Sequence, residues 1–285
     1  MVRTRLSLVL LVALSLVAAT CGEEEGAEPP AGGVSCAKAD LNLVEPGVLT
    51  VATGEPAFLP WVMDDNPTNK QGFEAAVAYE IATELGFADT EVKWVRTGFD
   101  EAIAPGPKNF DFNLQQYSIT PVRDEVVDFS KPYYVTRQAV IAFPDSPVVG
   151  ATTIADLKDT RLGAQIGTTS LDFIEDVIQP TQPAAVYDTT SDAKSAMEAD
   201  QVDGILVDLP TAYFITAVEI EDAVIAGQFE AAAAAPDEYG LLFAEGNPLV
   251  ACVNQAIDAL IADGTLAALE SAWLAQEGAI PTITS

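Results

Sequence analysis

One arginine set just behind a hydroxyl-rich turn is the pattern in this chain best suited to holding a small anion. Arg123 follows Ser118-Ile119-Thr120-Pro121-Val122 in a protein with 13 basic and 43 acidic residues. The Thr120-Pro121 step reads as a helix N-cap with proline in the first turn, which leaves backbone N–H groups facing outward. A guanidinium adds a planar fork that fits a carboxylate bidentately, so the constellation suits a small acid better than a phosphate chain. The competing use is a surface ion pair with Asp124, Glu125 or Asp128, a common and weak arrangement.

The elements that must position such a site alternate strand and helix, the pattern of an open α/β sheet. Residues 48–53, 91–96, 139–143, 161–166 and 204–207 are strand-like, rich in Val and Ile or alternating. Residues 74–85 read as a helix, with Val77, Ile81 and Leu85 at four-residue spacing and Gly86 as the stop. Residues 191–199, 247–262 and 265–276 read as further helices. In open α/β sheets ligands sit beyond the carboxyl ends of strands. Gly167-Thr168-Thr169-Ser170 lies at such an end and opens a helix over 171–178, so it either meets a carboxylate or simply caps that helix. Asp208 closes another strand before Leu209-Pro210, where helix capping is the plain alternative to a binding role.

Composition narrows the chemistry. The chain has 285 residues, 49% of them hydrophobic, enough material for two cores. Three cysteines and no histidine argue against zinc, haem and imidazole-based catalysis, and no cofactor or metal is expected. The Asp64-Asp65-Asn66-Pro67-Thr68-Asn69 cluster lacks calcium-loop spacing and reads as a solvated turn.

Residues 1–20 have the layout of an export signal: Arg3 and Arg5, an apolar run from Leu6 to Val17, then small residues before Cys21. Ala18-Ala19-Thr20-Cys21 is similar to a lipoprotein processing site, although Thr20 and Ala18 depart from the usual pattern, and ordinary cleavage near Ala19 stays open. Residues 21–35 have almost nothing to bury and read as a disordered tether with a span of roughly 20 Å. Removing residues 1–20 takes away two arginines and no acid, so 43 acids face 11 bases, a net charge near −32. Such a surface repels nucleic acid and anionic headgroups.

The string SITPVRDEVVDFSKPYY, from Ser118 to Tyr134, resembles the signature of family 3 extracellular solute-binding proteins, the receptors of polar amino-acid ABC importers. The likeness continues in order through Gly47-Val48-Leu49-Thr50-Val51, Gly72-Phe73-Glu74, Ile154-Ala155-Asp156-Leu157-Lys158, Ile166-Gly167-Thr168-Thr169-Ser170, the segment from Ala199 to Asp208, Tyr239-Gly240-Leu241 and Ala262-Asp263-Gly264-Thr265-Leu266.

The resemblance implies an α/β, two-lobed fold of the type II periplasmic-binding-protein kind with a ligand cleft between the lobes. Residues 36–137 and 232–285 would form lobe 1 and residues 138–231 lobe 2, with the chain crossing near Arg137 and near Ala232–Asp237. It implies a polar L-amino acid held by its head group, with Arg123, Ser118, Thr168 and Thr169 at the carboxylate and Asp208 at the ammonium. Arg123 would be the only basic residue in the pocket. Phe58, Trp61 and Phe99 fall where the family places rings against the ligand's side chain, although each could be core. Glu55 lies near the position of an acid for the ligand's distal group, with Gly54 an equal candidate. Gln115 and Gln116 replace smaller residues, and Ala76 stands where an acid is frequent. Using Cys21 for lipid leaves Cys36 and Cys252 as one pair in an oxidising compartment. With both chain ends in lobe 1, the two cysteines would share a lobe.

The expected protein is therefore an extracytoplasmic, lipid-anchored monomer that delivers its ligand to the membrane permease of an ABC importer, without catalysis. The alternative on the same scaffold is a periplasmic enzyme similar to cyclohexadienyl dehydratases, with Glu55 or Asp208 as the acid. A receptor's sensor ectodomain is the third reading.

Overall fold

The computed structural model describes residues 34–230, 234–274 and 279–285. The export signal, Cys21, most of the tether and part of the expected return crossing at Ala232 lie outside the described residues. Among the described residues thirteen strands follow in chain order: β1 Leu49–Thr53, β2 Val92–Arg96, β3 Phe112–Asn113, β4 Val127–Phe129, β5 Tyr134–Thr136, β6 Gln138–Ala142 and β7 Leu162–Gln165. They continue with β8 Ala185–Tyr187, β9 Gly204–Asp208, β10 Val224–Phe229, β11 Asp237–Tyr239, β12 Leu242–Ala244 and β13 Thr282–Ile283. The helices are α1 Phe73–Glu84, α2 Phe99–Ile103, α3 Thr169–Asp172, α4 Thr190–Glu198, α5 Leu209–Phe214, α6 Leu249–Ala262 and α7 Thr265–Trp273.

Two sheets form two lobes. The first has the order β2-β1-β3-β12-β4, with β1 parallel to both β2 and β3 and β12 antiparallel to its neighbours. The second has the order β13-β10-β6-β9-β7-β8. Fully buried strands carry the centre of each sheet: β1 and β6 are buried at all five positions, as expected for apolar runs covered on both faces. Alternation then sorts the second lobe's side chains, with Val140, Ala142 and Leu206 in one cluster and Ala139, Ile141, Ile205 and Val207 in the other. In the first lobe Leu49, Val51, Phe73, Val77 and Ile81 pack with Val253, Ile257 and Leu260 of α6.

Strands β5 and β11 pair antiparallel, Asp237 opposite Thr136, where the chain passes between the sheets. Arg137 separates β5 from β6. The tail differs from the expected division. Thr282–Ile283 lies parallel to β10 in the second sheet rather than in lobe 1, with Thr284 exchanging backbone bonds with Thr152 and Ile154. The reason is packing: Ile283 is fully buried in the second lobe's core, and the strand covers an edge that β10 would otherwise expose.

Cys36 and Cys252 form a disulfide, tying the start of the described chain to α6 in the first lobe. The acidic turn after Met63 is used internally. Asp65 accepts from the Ala57 backbone and pairs with Arg96 at 2.7 Å, and Asn66 caps the turn that follows.

Candidate functional site

A cavity of about 320 Å³ lies between the lobes, lined from both sides. Of the residues expected at the site, nine line it: Glu55, Phe58, Phe99, Gln116, Ser118 and Arg123 from the first lobe, Thr168, Thr169 and Asp208 from the second.

Arg123 is buried, not a surface partner of its acidic neighbours. Its Nη1 donates to the carbonyl of Ser118 at 2.7 Å and its Nη2 to the carbonyl of Gly167, on the opposite lobe, at 2.8 Å. The guanidinium carbon stands 5.4 Å from the Phe99 ring centroid, and Phe99 stacks on Tyr117 at 4.7 Å. Burial pushes Arg123 down from its ordinary value, and nearby Asp172 opposes that shift. The expected helix after Thr120 does not form. Only a single tight turn, Arg123–Glu125, precedes β4, and within it the Arg123 N–H donates to the Thr120 hydroxyl at 3.2 Å. What this lobe presents to the cavity is thus the side chain of Arg123 rather than a helix terminus.

The facing loop is ordered by its own caps. Gly167 has φ +71°, a left-handed conformation that suits glycine, and a β-carbon there would run into Asp100 of the first lobe. The Thr168 hydroxyl accepts from the Leu171 N–H and donates to the Gln165 carbonyl, capping α3. The helix expected over 171–178 begins at Thr169 and widens into a π-helical stretch, Phe173–Ile178. Thr169 meets Ser118 across the cleft, hydroxyl to hydroxyl at 3.3 Å.

Asp208 does two things at once. Its carboxylate caps α5, accepting from the Thr211 N–H at 3.0 Å and the Thr211 hydroxyl at 2.7 Å, and it also faces the cavity. Burial raises its pKa to about 6, against the lowering effect of the Thr211 bonds. Trp61, fully buried against Phe73 and Tyr134, is core and does not line the cavity, but its indole N–H donates to the Thr211 hydroxyl at 3.1 Å. Phe58 and Phe99 are the half-buried rings that do reach the cavity. Glu55 is exposed at the rim, and Gly54 spends its carbonyl on Arg96.

The match to the description "Bacterial extracellular solute-binding proteins, family 3" runs over residues 49–276, through both lobes and every wall of this cavity. The chain belongs to that family. It is 28% identical over 237 residues to the L-cystine-binding protein TcyJ of Escherichia coli (strain K12), covering 82% of this chain and 85% of that protein. It is 27% identical over 216 residues to ABC transporter arginine-binding protein 1 of the same organism, covering 72% and 82%. Among solved structures, an ancestral arginine-binding protein bound to glutamine superposes with a TM-score of 0.68 at 26% identity, covering 81% of this chain and 99% of that one.

Within this family member, several cavity residues escape sequence reasoning. Arg123 is not the only base: Lys194 of α4 also lines the cavity, its side chain 13% exposed and paired with Glu219 at 2.7 Å. From sequence it is one lysine within the helix expected over 191–199. Gln138, at the start of β6, donates to the Asp237 carboxylate at 2.7 Å and to the Thr169 hydroxyl at 3.3 Å, and it accepts from Ser170. A polar residue opening an otherwise apolar strand is the signal that could have found it. Behind the cavity, Glu74 is buried and accepts from the Gln116 backbone at 2.8 Å, from the Gln116 amide and from the Tyr133 hydroxyl at 2.5 Å. Burial raises its pKa to about 7. It holds Gln116 in a left-handed conformation, φ 52°, with that side chain at the cavity wall.

Proposed function

We propose that this solute-binding protein captures a polar L-amino acid in the interlobe cavity and hands it to the membrane permease of an ABC importer. The observation that carries the reading is a buried arginine and a capping aspartate on opposite lobes of one cavity, Arg123 on the first and Asp208 on the second. A zwitterionic head bridging them needs both lobes together, so binding favours closure. The relatives' names fit such a head: cystine, arginine and glutamine share it and differ beyond it.

We read the protein as a carrier rather than a catalyst, held at the outer face of the membrane by lipid on Cys21 and acting as a monomer. The cavity's acids serve ligand or fold in this reading: Asp208 is committed to Thr211, and Glu55 stands at the rim.

A thermal-shift screen against the common amino acids tests the ligand class. A ligand at a hundredfold excess over its Kd adds about 2.7 kcal/mol of stability. No shift with any amino acid would refute the reading. Incubation with the best ligand should return it unchanged, and sustained turnover lost in Glu55→Gln or Asp208→Asn would make the protein an enzyme instead.

A further inference from the structure

The head-group reading uses Arg123 and Asp208 and leaves without a role the one ion pair among the described residues whose two members both line the cavity, which also carries the carboxylates of Glu55, Asp100, Glu101 and Asp188. Lys194 and Glu219 both line it, both come from the second lobe, and their side chains are only 13% and 29% exposed. Lys194 Nζ lies 6.0 Å from the ring centroid of Phe58, across the cleft, whereas Arg123 stands over a different ring, Phe99. Neither member of the pair is hydrogen-bonded to Arg123 or Asp208; their bond is to each other.

We propose that Lys194 and Glu219 form a second charged subsite, and that the ligand is an amino acid whose side chain ends in a second amino-carboxylate head. The proposal rests on the amino-acid reading above and names the ligand within it. A side chain ending in one cation would engage Glu219 and strip Lys194 of its partner, and one ending in a lone carboxylate would do the reverse. Each leaves a charge unpaired in a partly dry cavity, which is costly. A second ammonium and carboxylate replace both partners, so neither protein charge is orphaned. Space allows it: a cavity of about 320 Å³ holds roughly ten water volumes at ~30 Å³ each, room for an elongated ligand. Phe58, which lines the cavity near Lys194, offers an apolar face to the linker joining the two heads.

Calorimetry with two probes decides the matter. L-cystine carries both heads, and S-methyl-L-cysteine keeps the first but ends in a neutral thioether. The parent protein should bind L-cystine roughly ten- to a hundredfold tighter, the scale of charge-assisted hydrogen bonds. Lys194→Met and Glu219→Gln should each abolish most of that preference while leaving the affinity for S-methyl-L-cysteine within about threefold of the parent. The Gln variant is nearly isosteric and carries the test if the Met variant folds poorly. Equal affinity for the two probes, or a preference that survives Glu219→Gln, overturns the second subsite and leaves the head-group site standing. Binding of L-glutamine with neither probe bound also overturns it. Silence toward every amino acid overturns both readings.

Discussion

Arg123 Nη2 donates to the carbonyl oxygen of Gly167 at 2.8 Å, from one lobe to the other. With Nη1 on Ser118, two of the guanidinium's five N–H donors hold its plane, and the others have no partner among the described residues. The same side chain therefore orients itself, ties the lobes together and presents charge to the cavity.

Replacing it separates these roles from mere packing. Arg123→Ala should weaken amino-acid binding by about 2–5 kcal/mol, roughly thirtyfold to several thousandfold in Kd. Arg123→Lys should recover only part, because an ammonium cannot hold two carbonyls and a carboxylate in one plane. Calorimetric affinity of the Ala variant within threefold of the parent would remove Arg123 from the site.

The pH dependence of binding should report Asp208. Burial raises its pKa to about 6, so the free protein takes up a proton there as the pH falls through that value. A ligand ammonium needs the carboxylate, and affinity should drop about tenfold for each pH unit below about 6. Asp208→Asn should weaken binding at pH 7 and flatten this profile, while its amide oxygen still caps α5 and the fold survives. An unfolded Asn variant would make Asp208 structural.

How far the sequence carried the site follows from where each residue sits. That Arg123, Thr169 and Asp208 line the cavity was legible because an arginine behind a hydroxyl-rich turn, a Gly-Thr-Thr-Ser loop and an acid at a strand end are polar signals at places where open sheets bind ligands. Lys194 was hidden by its helix, where a lysine is ordinary; only the fold brings it to the cavity wall, with Phe58 facing it from the other lobe. The helix expected after Thr120 failed because Val127 begins β4 within a few residues, leaving room for one turn. The tail was assigned to the wrong lobe because a strand as short as Thr282–Ile283 has no periodicity to read; only the buried Ile283 marks it.

The Cys36–Cys252 bridge should stabilise the protein without touching the site. It closes a loop with a sequence separation of 216 residues, worth at most roughly 5 kcal/mol in the chain-entropy view. Neither cysteine lines the cavity. Reduction should lower Tm and leave ligand affinity nearly unchanged; a parallel loss of affinity in the still-folded, reduced protein would show that the bridge also shapes the cleft.

Glu74 should make stability depend on pH through its grip on Gln116 and Tyr133. Its folded pKa is raised to about 7 from an ordinary value near 4.5, chiefly by burial. The folded protein thus holds this proton more tightly than the unfolded chain, and the associated stability is present in full below about 4.5 and lost as the pH rises through about 7. Glu74→Gln keeps the shape without the titration, so the parent should lose stability relative to this variant across that window in denaturant melts. Glu74→Ala instead orphans the Tyr133 hydroxyl and the Gln116 N–H, at roughly 1–3 kcal/mol for each donor left buried. It should also weaken ligand binding, because Gln116 loses the partner that fixes its left-handed turn at the cavity wall. Parallel pH–stability curves for the parent and the Gln variant would mean that Glu74 titrates at the same pH in the folded and unfolded chain and that burial does not raise its pKa.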